Sequence, residues 1–139
     1  MPIIAALIVA AISVPSGRAK PAPAGNSDAL EEIAAFLAET HAYRDPDLSL
    51  AKFARQLGQP VRQISRIVND ATGSSVSNYI NRWRIDEAAE LLGSTGRKID
   101  DIAYSVGFLS RSNFYREFQR IHEISPSAYR KRARSGEGG

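Results

Sequence analysis

The 139-residue sequence has no cysteine and only two histidines, and these shortages exclude whole classes of function. Without cysteine, the chain cannot form disulfides, thiolate metal sites or a cysteine nucleophile. His41 and His122 are too few and too far apart in sequence to suggest a metal centre. The sequence also lacks a Ser/His/Asp constellation at telling spacing and a glycine-rich phosphate loop. An enzyme is therefore the weakest hypothesis, and no cofactor is predicted.

A hydrophobic run long enough to cross a bilayer is also missing. Residues 3–14 (IIAALIVAAISV) form a nearly unbroken apolar run of twelve, against the ~20 residues that a membrane helix needs. No lysine or arginine precedes this run, as a secretory signal would require, although Ala22-Pro23-Ala24 resembles a cleavage site. Three interpretations stay open: a truncated or short membrane-associated segment, which we favour, a signal peptide, or a buried helix.

The residues that follow the apolar run predict on which side of a membrane the rest of the chain would lie, and they predict a linker. Arg18 and Lys20 come directly after it, so if the run ends a membrane helix, the positive-inside tendency places the rest of the chain in the cytoplasm, tethered to the inner membrane. Residues 15–26 (PSGRAKPAPAGN) predict an extended linker, because proline and glycine there oppose helix formation.

Charge is distributed unevenly along the chain. The formal net charge is only +3, but residues 50–139 hold fifteen basic and nine acidic side chains, whereas residues 1–49 hold three basic and six acidic ones. The C-terminal part is therefore the candidate for binding a polyanion. On charge alone, a basic solvated surface without a partner is equally compatible.

The C-terminal part contains an internal repeat. Residues 48–80 align with residues 98–130 at an offset of 49 or 50 residues, with one residue added in the turn. Each copy predicts a short helix with a small residue at its centre, Ala54 or Ala103, then a glycine turn and a second helix with a narrow apolar stripe and a basic outer face. This is the pattern of a helix-turn-helix. One such pattern is weak evidence for DNA binding, but two in one chain are much less likely to be accidental.

Helix boundaries can be predicted from capping residues. The spacing of Asp28 and Glu31 predicts the start of a helix before the repeats. Ser49 is predicted to cap the short helix 50–57, which should end at Gly58.

A long helix is predicted between the two copies, over residues 75–92. Ser74 or Ser75 can cap it and Gly93 should end it. Its eighteen residues span ~27 Å, close to the ~34 Å between successive major grooves on one side of B-DNA. Trp83 lies in its apolar stripe, which favours a core position over the alternative, a stacking platform for nucleic acid. The sequence therefore predicts an all-α fold whose second helix in each copy enters the major groove.

The order of these motifs resembles the AraC/XylS-type transcription regulators over about residues 29–132. The resemblance is carried by A-x-x-x-G at 54–58, by Arg84 with Ala88 and Leu91-Leu92, by I-x-x-I-A-x-x-x-G-F-x-S-x-S-x-F-x-R-x-F at 99–118, and by S-P-x-x-Y-R at 125–130. It implies a seven-helix, two-unit DNA-binding domain on adjacent major grooves of double-stranded promoter DNA, usually acting by recruiting RNA polymerase. The expected segments are 1–25 (apolar segment and linker), 26–133 (DNA-binding domain, with helix-turn-helix units at about 49–72 and 99–121) and 134–139 (a flexible tail).

The resemblance also places the base-reading positions on polar side chains of the two recognition helices. Arginine can bind guanine O6 and N7 with two hydrogen bonds, and Asn or Gln can do the same with adenine N6 and N7. The competing interpretation for each arginine is a phosphate or solvent contact. Ser110 and Ser125 are predicted as caps whose helix N-termini offer amides to phosphate. The candidate DNA-binding residues are Arg62, Gln63, Ser65, Arg66 and Asn69 in the first unit and Ser110, Arg111, Ser112, Asn113, Tyr115 and Arg116 in the second.

Two residues depart from the pattern of the family. Glu123 stands where the family most often has glycine, so we expect the second recognition helix to close differently and an acid to lie near the DNA. Pro60 replaces the commoner serine at the start of the first recognition helix, where proline is benign.

Residues 1–49 are too short for the effector-binding domain that many family members carry, so the effector is unknown. Either the chain is a stand-alone regulator controlled by its abundance, or it is the cytoplasmic end of a membrane-embedded sensor, which we favour. The competing function is a protein-interaction module that kept the fold and lost DNA binding. Such a loss should leave acids on both recognition faces, whereas Arg62, Arg66, Arg111 and Arg116 remain.

Overall fold

The structure, a computed structural model, describes residues 24–136 and contains seven α-helices and no strand within them. The predicted all-α, seven-helix fold is therefore confirmed. A 3-10 turn, Ala42–Arg44, lies between the first two helices. The helices are α1 (Ala24–Thr40), α2 (Leu50–Leu57), α3 (Val61–Thr72), α4 (Val76–Ser94), α5 (Ile99–Ser105), α6 (Arg111–His122) and α7 (Pro126–Gly136).

The described chain divides into two compact units. The first comprises residues 24–42 and 47–80, and the second comprises Tyr43–Pro46 and residues 81–136. The boundary falls inside α4, so this helix contributes residues to both units.

The first unit has its core between α1 and α3. Ile64 and Val68 of α3 are fully buried, and α1 contributes the buried Ile33 and Leu37. Both pairs are spaced four residues apart, which places each pair on one face of its helix. The polar face of α3 is therefore left toward solvent.

The second unit repeats this arrangement around α6. Phe114 and Phe118 are fully buried, and the ring of Phe114 lies 5.3 Å from that of Phe108 and 5.7 Å from that of Phe118. Fully burying a side chain of this size contributes about 1.5–3 kcal/mol. Two such anchors four residues apart fix the rotation of α6 about its axis, so its outer face is fixed as well.

Trp83 belongs to the core. Its side chain is fully buried in the second unit, and its ring lies 5.6 Å from that of Tyr43. The segment that carries Tyr43 is held by Arg84, whose guanidinium donates hydrogen bonds to the carbonyls of Tyr43 (2.6 Å) and Asp45 (3.0 Å). A stacking platform for nucleic acid at Trp83 is therefore excluded.

The predicted serine caps are confirmed. The hydroxyl of Ser49 accepts a hydrogen bond from the amide of Lys52 at 3.1 Å, and α2 ends at Gly58 in the left-handed conformation (φ 69°). Of the two candidates for α4, Ser75 is the one that accepts, from the amide of Asn78 at 3.1 Å.

Four predicted boundaries are wrong, and one of them is the start of the flexible tail at 134–139, since α7 continues to Gly136. Asp28 does not start a helix, because α1 begins at Ala24, so residues 24–26 are helical and not part of an extended linker. The first amides of a helix have no intrahelical hydrogen-bond partner, so placing Gly25 and Asn26 there costs little stability. Gly93 does not end α4, which continues to Ser94. A Cβ at Gly93 would lie 3.4 Å from that of Ala133, so the glycine leaves room for α7.

The apolar segment at residues 3–14, and with it the predicted membrane segment or signal peptide, lies outside the described residues. None of the helices within residues 24–136 combines the length and the apolar character needed to cross a membrane.

Candidate nucleic-acid interface

Helices α3 and α6 present equivalent outer faces, because the apolar stripe of each is turned into its own core. Both helices have twelve residues, and their starts lie 50 residues apart, at Val61 and Arg111. The structure thus gives the two halves of the repeat the same local construction. Ten of the eleven predicted site residues occupy exposed or half-buried positions on α3 and α6, and the eleventh, Ser110, is the exposed N-cap residue of α6.

On α3, the candidate side chains are largely free to meet a ligand. Arg62, Gln63, Arg66 and Asn69 are exposed, and Ser65 is half-buried. The amide group of Asn69 donates to the carbonyl of Ser65 at 3.0 Å, one turn earlier. Within residues 28–136, neither Arg62 nor Arg66 takes part in an ion pair.

On α6, the first candidate arginine already has partners. Arg111 Nε lies 3.1 Å from Asp100 Oδ1, and the Arg111 guanidinium carbon lies 4.9 Å from the centre of the Tyr115 ring. The contact with Tyr115 and, after it, the charge of Asp100 raise the pKa of Arg111 further above its ordinary value. The cation is therefore permanently charged and directed by its neighbours.

The other α6 candidates lie next to this pair. Arg116 donates from Nη2 to the side-chain oxygen of Asn113, one turn earlier, and Ser112 is exposed. Ser110 caps α6 as predicted, accepting from the amide of Asn113 at 3.1 Å, and Ser125 caps α7 in the same way. Capping uses one amide and leaves others at the N-terminus of α6 available to an anion.

Glu123 closes α6 in the same way as glycine closes α3. Gly73 has φ 73° and its amide donates to the carbonyl of Asn69 at 2.8 Å; Glu123 has φ 63° and donates to the carbonyl of Gln119 at the same distance. The expectation that this helix end closes differently is therefore wrong. The backbone geometry is that of glycine, and Glu123 adopts it at the cost of left-handed strain. Pro60 is the N-cap residue of α3 and makes no side-chain cap.

Sequence reasoning missed Asp100 as part of this surface. Its carboxylate lies eleven residues before Arg111, across the turn between α5 and α6. One signal in the sequence could have pointed to it: the repeat pairs Asp100 with Ala51 and Arg111 with Val61, so the second copy alone carries both charges.

The arrangement is chemically suited to a polyanion with hydrogen-bonding edges. Guanidinium groups bind phosphates through charge and bind guanine through a pair of parallel hydrogen bonds. Amide side chains supply a donor and an acceptor for adenine. These eleven candidates remain predictions as individual DNA contacts.

Comparison with known proteins identifies the family. The family described as "Helix-turn-helix domain" matches residues 53–132. The regulatory protein SoxS of Escherichia coli is 30% identical over 103 residues, which cover 74% of this chain and 94% of SoxS. The chain spans 12%, 28% and 62% of the lengths of three other relatives: the uncharacterized HTH-type transcriptional regulators YtdP and YisR of Bacillus subtilis and the HTH-type transcriptional activator AarP of Providencia stuartii.

Two solved structures are similar in fold. The first is a transcriptional regulator from Chromobacterium violaceum, described as an AraC-type DNA-binding domain-containing protein; its TM-score is 0.68 at 25% identity, covering 80% of this chain and 96% of that one. The second is the DNA-binding domain of the global transcriptional factor AdpA, solved in complex with a target DNA. Its TM-score is 0.67 at 25% identity, covering 76% of this chain and 93% of that one.

Proposed function

The chain belongs to the AraC-type family of helix-turn-helix regulators, and from that premise we propose that it regulates transcription by binding promoter DNA. It is not an enzyme, since the family and its relatives are transcription regulators. The proposal concerns how this chain's own residues would meet the duplex.

The observation that carries the proposal is the repeated outer face of α3 and α6. Each helix is anchored by apolar side chains in its own core and exposes arginine and amide side chains on the opposite side. A helix of this kind fits the major groove of B-DNA, which is about 12 Å wide. We propose that α3 and α6 enter adjacent major grooves, each with its N-terminal half near the base edges. The AdpA domain, similar in fold, was solved with a target DNA, which supports this use of the fold.

Two finer features of the proposal rest on the resemblance to the family or on residues outside the described part. Recruitment of RNA polymerase, and hence an activator role, rests on the resemblance to the family, whose members usually act in this way. Tethering to the cytoplasmic face of a membrane rests on the apolar run at residues 3–14 alone. Neither feature is needed for DNA binding itself.

The salt dependence of binding to random-sequence duplex DNA tests the proposal. The variants Arg66→Ala and Arg116→Ala remove one exposed arginine from each candidate helix. The control is Arg97→Ala, since Arg97 is an exposed arginine in the loop between α4 and α5, outside both helices. The parent should lose affinity steeply as salt rises, because each neutralised phosphate releases counterions. Each helix variant should lower the slope by about one where the arginine binds phosphate, and the control should leave it unchanged.

A second step separates phosphate contacts from base contacts. Binding sites selected from random DNA would be compared with random duplex for each variant. An arginine whose removal weakens only the selected site is a base reader. If the 139-residue chain, shown to be folded by circular dichroism, binds no DNA at low salt, the proposal is wrong and a protein-interaction module becomes the better function.

A further inference from the structure

Arg111 is held on two sides before any ligand arrives. Its Nε lies 3.1 Å from Asp100 Oδ1, and its guanidinium lies over the ring of Tyr115. Tyr115 is one turn further along α6 and is half-buried against the core of the second unit, so its ring is a fixed support. Asp100 is in the first turn of α5. The two supports come from different helices, and the Arg111 side chain, which is 62% exposed, lies between them.

The identity of the occupied nitrogen matters. A guanidinium has five N–H donors, one on Nε and four on the two Nη atoms. Asp100 Oδ1 lies beside Nε, so this ion pair engages neither of the two Nη groups at the tip of the side chain. Two donors side by side are what a guanine requires, because its O6 and N7 accept in parallel in the major groove. A phosphate can accept the same two donors, but it does so from many angles.

The other candidate arginines lack this support. Arg116 is engaged through Nη2, by the side-chain oxygen of Asn113, so one of its tip nitrogens is already used. Arg62 and Arg66 make no ion pair within the described residues. The position of Arg111 in the first repeat is occupied by Val61, as shown above. Among the four arginines of α3 and α6 singled out from the sequence, Arg111 alone has both an acidic partner and an aromatic ring beside its guanidinium.

We propose that Asp100 and Tyr115 are positioning residues that hold Arg111 as a reader of guanine. The proposal rests on the proposed function, DNA binding through α6, and adds the base that this helix recognises. Fixing the side chain in advance avoids the entropy cost of ordering it on the base. The carboxylate of Asp100 also repels phosphate oxygens that approach the same cation. Both effects favour guanine over a non-specific phosphate contact, so the pair contributes specificity more than affinity.

An experiment can distinguish the positioning role of Asp100 from the general effect of a negative charge near the DNA. Removing an acid near the interface should tighten binding to any duplex, because less negative charge faces the phosphates. Removing the positioning acid should in addition relax the preference for guanine at one position. Asp101 is the matched control, since it is adjacent, exposed and in the same first turn of α5, and makes no ion pair within the described residues.

The experiment uses the 139-residue chain and a series of duplexes derived from a site selected from random DNA, each with one base pair replaced. Arg111→Ala should first identify the guanine, as the one position where the parent discriminates and the variant does not. Asp100→Asn should lower discrimination at that guanine by about threefold to tenfold, while binding to random duplex tightens. Asp101→Asn should tighten binding to random duplex similarly and keep the discrimination. In the Arg111→Ala background, Asp100→Asn should leave discrimination unchanged.

A second variant tests the role of the Tyr115 ring. Tyr115→Leu retains an apolar side chain against the core but removes the surface on which the guanidinium lies, so it should also lower discrimination at the same guanine. If Asp100→Asn keeps full discrimination, or if Arg111→Ala relaxes no position, the inference is overturned while DNA binding stands. If the folded parent binds no duplex at all, the inference falls together with the proposed function.

Discussion

Glu123 is a residue whose backbone is that of glycine and whose side chain is an exposed acid. An L-residue in the left-handed conformation costs about 1–2 kcal/mol relative to the right-handed one, and Glu123 has φ 63°. Glu123→Gly should therefore stabilise the chain by roughly 0.5–1 kcal/mol, since glycine relieves the strain but loses more entropy on folding. Chemical denaturation of parent and variant measures the difference.

The matched control is the corresponding residue of the first repeat. Gly73 has φ 73° and open space where a Cβ would be. Gly73→Ala should therefore be destabilising by about 1 kcal/mol, the opposite sign. Glu123→Gln separates charge from strain, because glutamine is neutral but keeps the left-handed strain of an ordinary L-residue. Equal stability of Glu123→Gly and the parent would show that the helix end relaxes without strain.

At the scale of elements, the turns that join α2 to α3 and α5 to α6 share a sequence pattern but differ in how tightly their glycines are packed. Gly58 and Gly107 both have positive φ, at 69° and 117°. A Cβ on Gly58 would meet no atom within 4 Å, whereas a Cβ on Gly107 would lie 2.5 Å from the Tyr43 carbonyl oxygen and 2.7 Å from Arg84 Nε. The glycine of the second turn thus also makes room for the hydrogen bond between Arg84 and Tyr43.

Alanine substitution should separate these two roles. Gly58→Ala introduces only backbone strain and should cost about 1 kcal/mol. Gly107→Ala adds a clash with the backbone and the displacement of the half-buried guanidinium of Arg84, so its cost should reach about 3 kcal/mol or more. Urea unfolding monitored by tryptophan fluorescence suits this test, because Trp83 lies against Tyr43. Similar costs for the two variants would mean that the Tyr43 segment moves aside freely.

The helices could be predicted from the sequence to the extent that their signals were local. Ser49 and Ser110 cap where expected, because a cap depends on residues three apart. The partnership of Asp100 with Arg111 depends on the turn between two helices, which hydrophobic periodicity does not specify. The eleven candidate contacts lie on α3 and α6, but their roles depend on a partner that the sequence does not contain.

At the scale of the whole molecule, two half-buried titratable groups have opposite effects on how stability depends on pH. Burial raises the pKa of Asp86 to about 6 from 3.8, while Arg82 opposes the rise through an ion pair at 3.3 Å. Burial lowers the pKa of His122 from 6.5, and the charge of Arg82 adds to this. Asp86 Oδ2 and His122 Nε2 are buried and accept or donate no hydrogen bond within the described residues. The folded state therefore favours the neutral form of both groups.

The two groups give opposite dependences of stability on pH. Folded Asp86 binds its proton more tightly than the unfolded chain does, so its unfavourable contribution appears as the pH rises from about 4 to about 6. Folded His122 binds a proton less tightly, so its contribution to stability is lost as the pH falls through and below its ordinary value. The parent should show a shallow profile between about pH 4 and pH 7, because the two slopes partly cancel.

Replacing either Asp86 or His122 should reveal the pH dependence of stability that the other residue causes. Asp86→Asn should be more stable than the parent at about pH 7, by roughly 2 kcal/mol after allowance for the lost ion pair with Arg82, and should approach it near pH 4. This variant should lose stability on acidification because His122 remains. His122→Gln should instead gain stability on acidification, because Asp86 remains. Chemical denaturation of each variant between about pH 4 and pH 7 measures how its free energy of unfolding changes with pH. If both variants kept the shallow profile of the parent, Asp86 and His122 would be hydrated in the folded state, and their burial in the second unit would not control its stability.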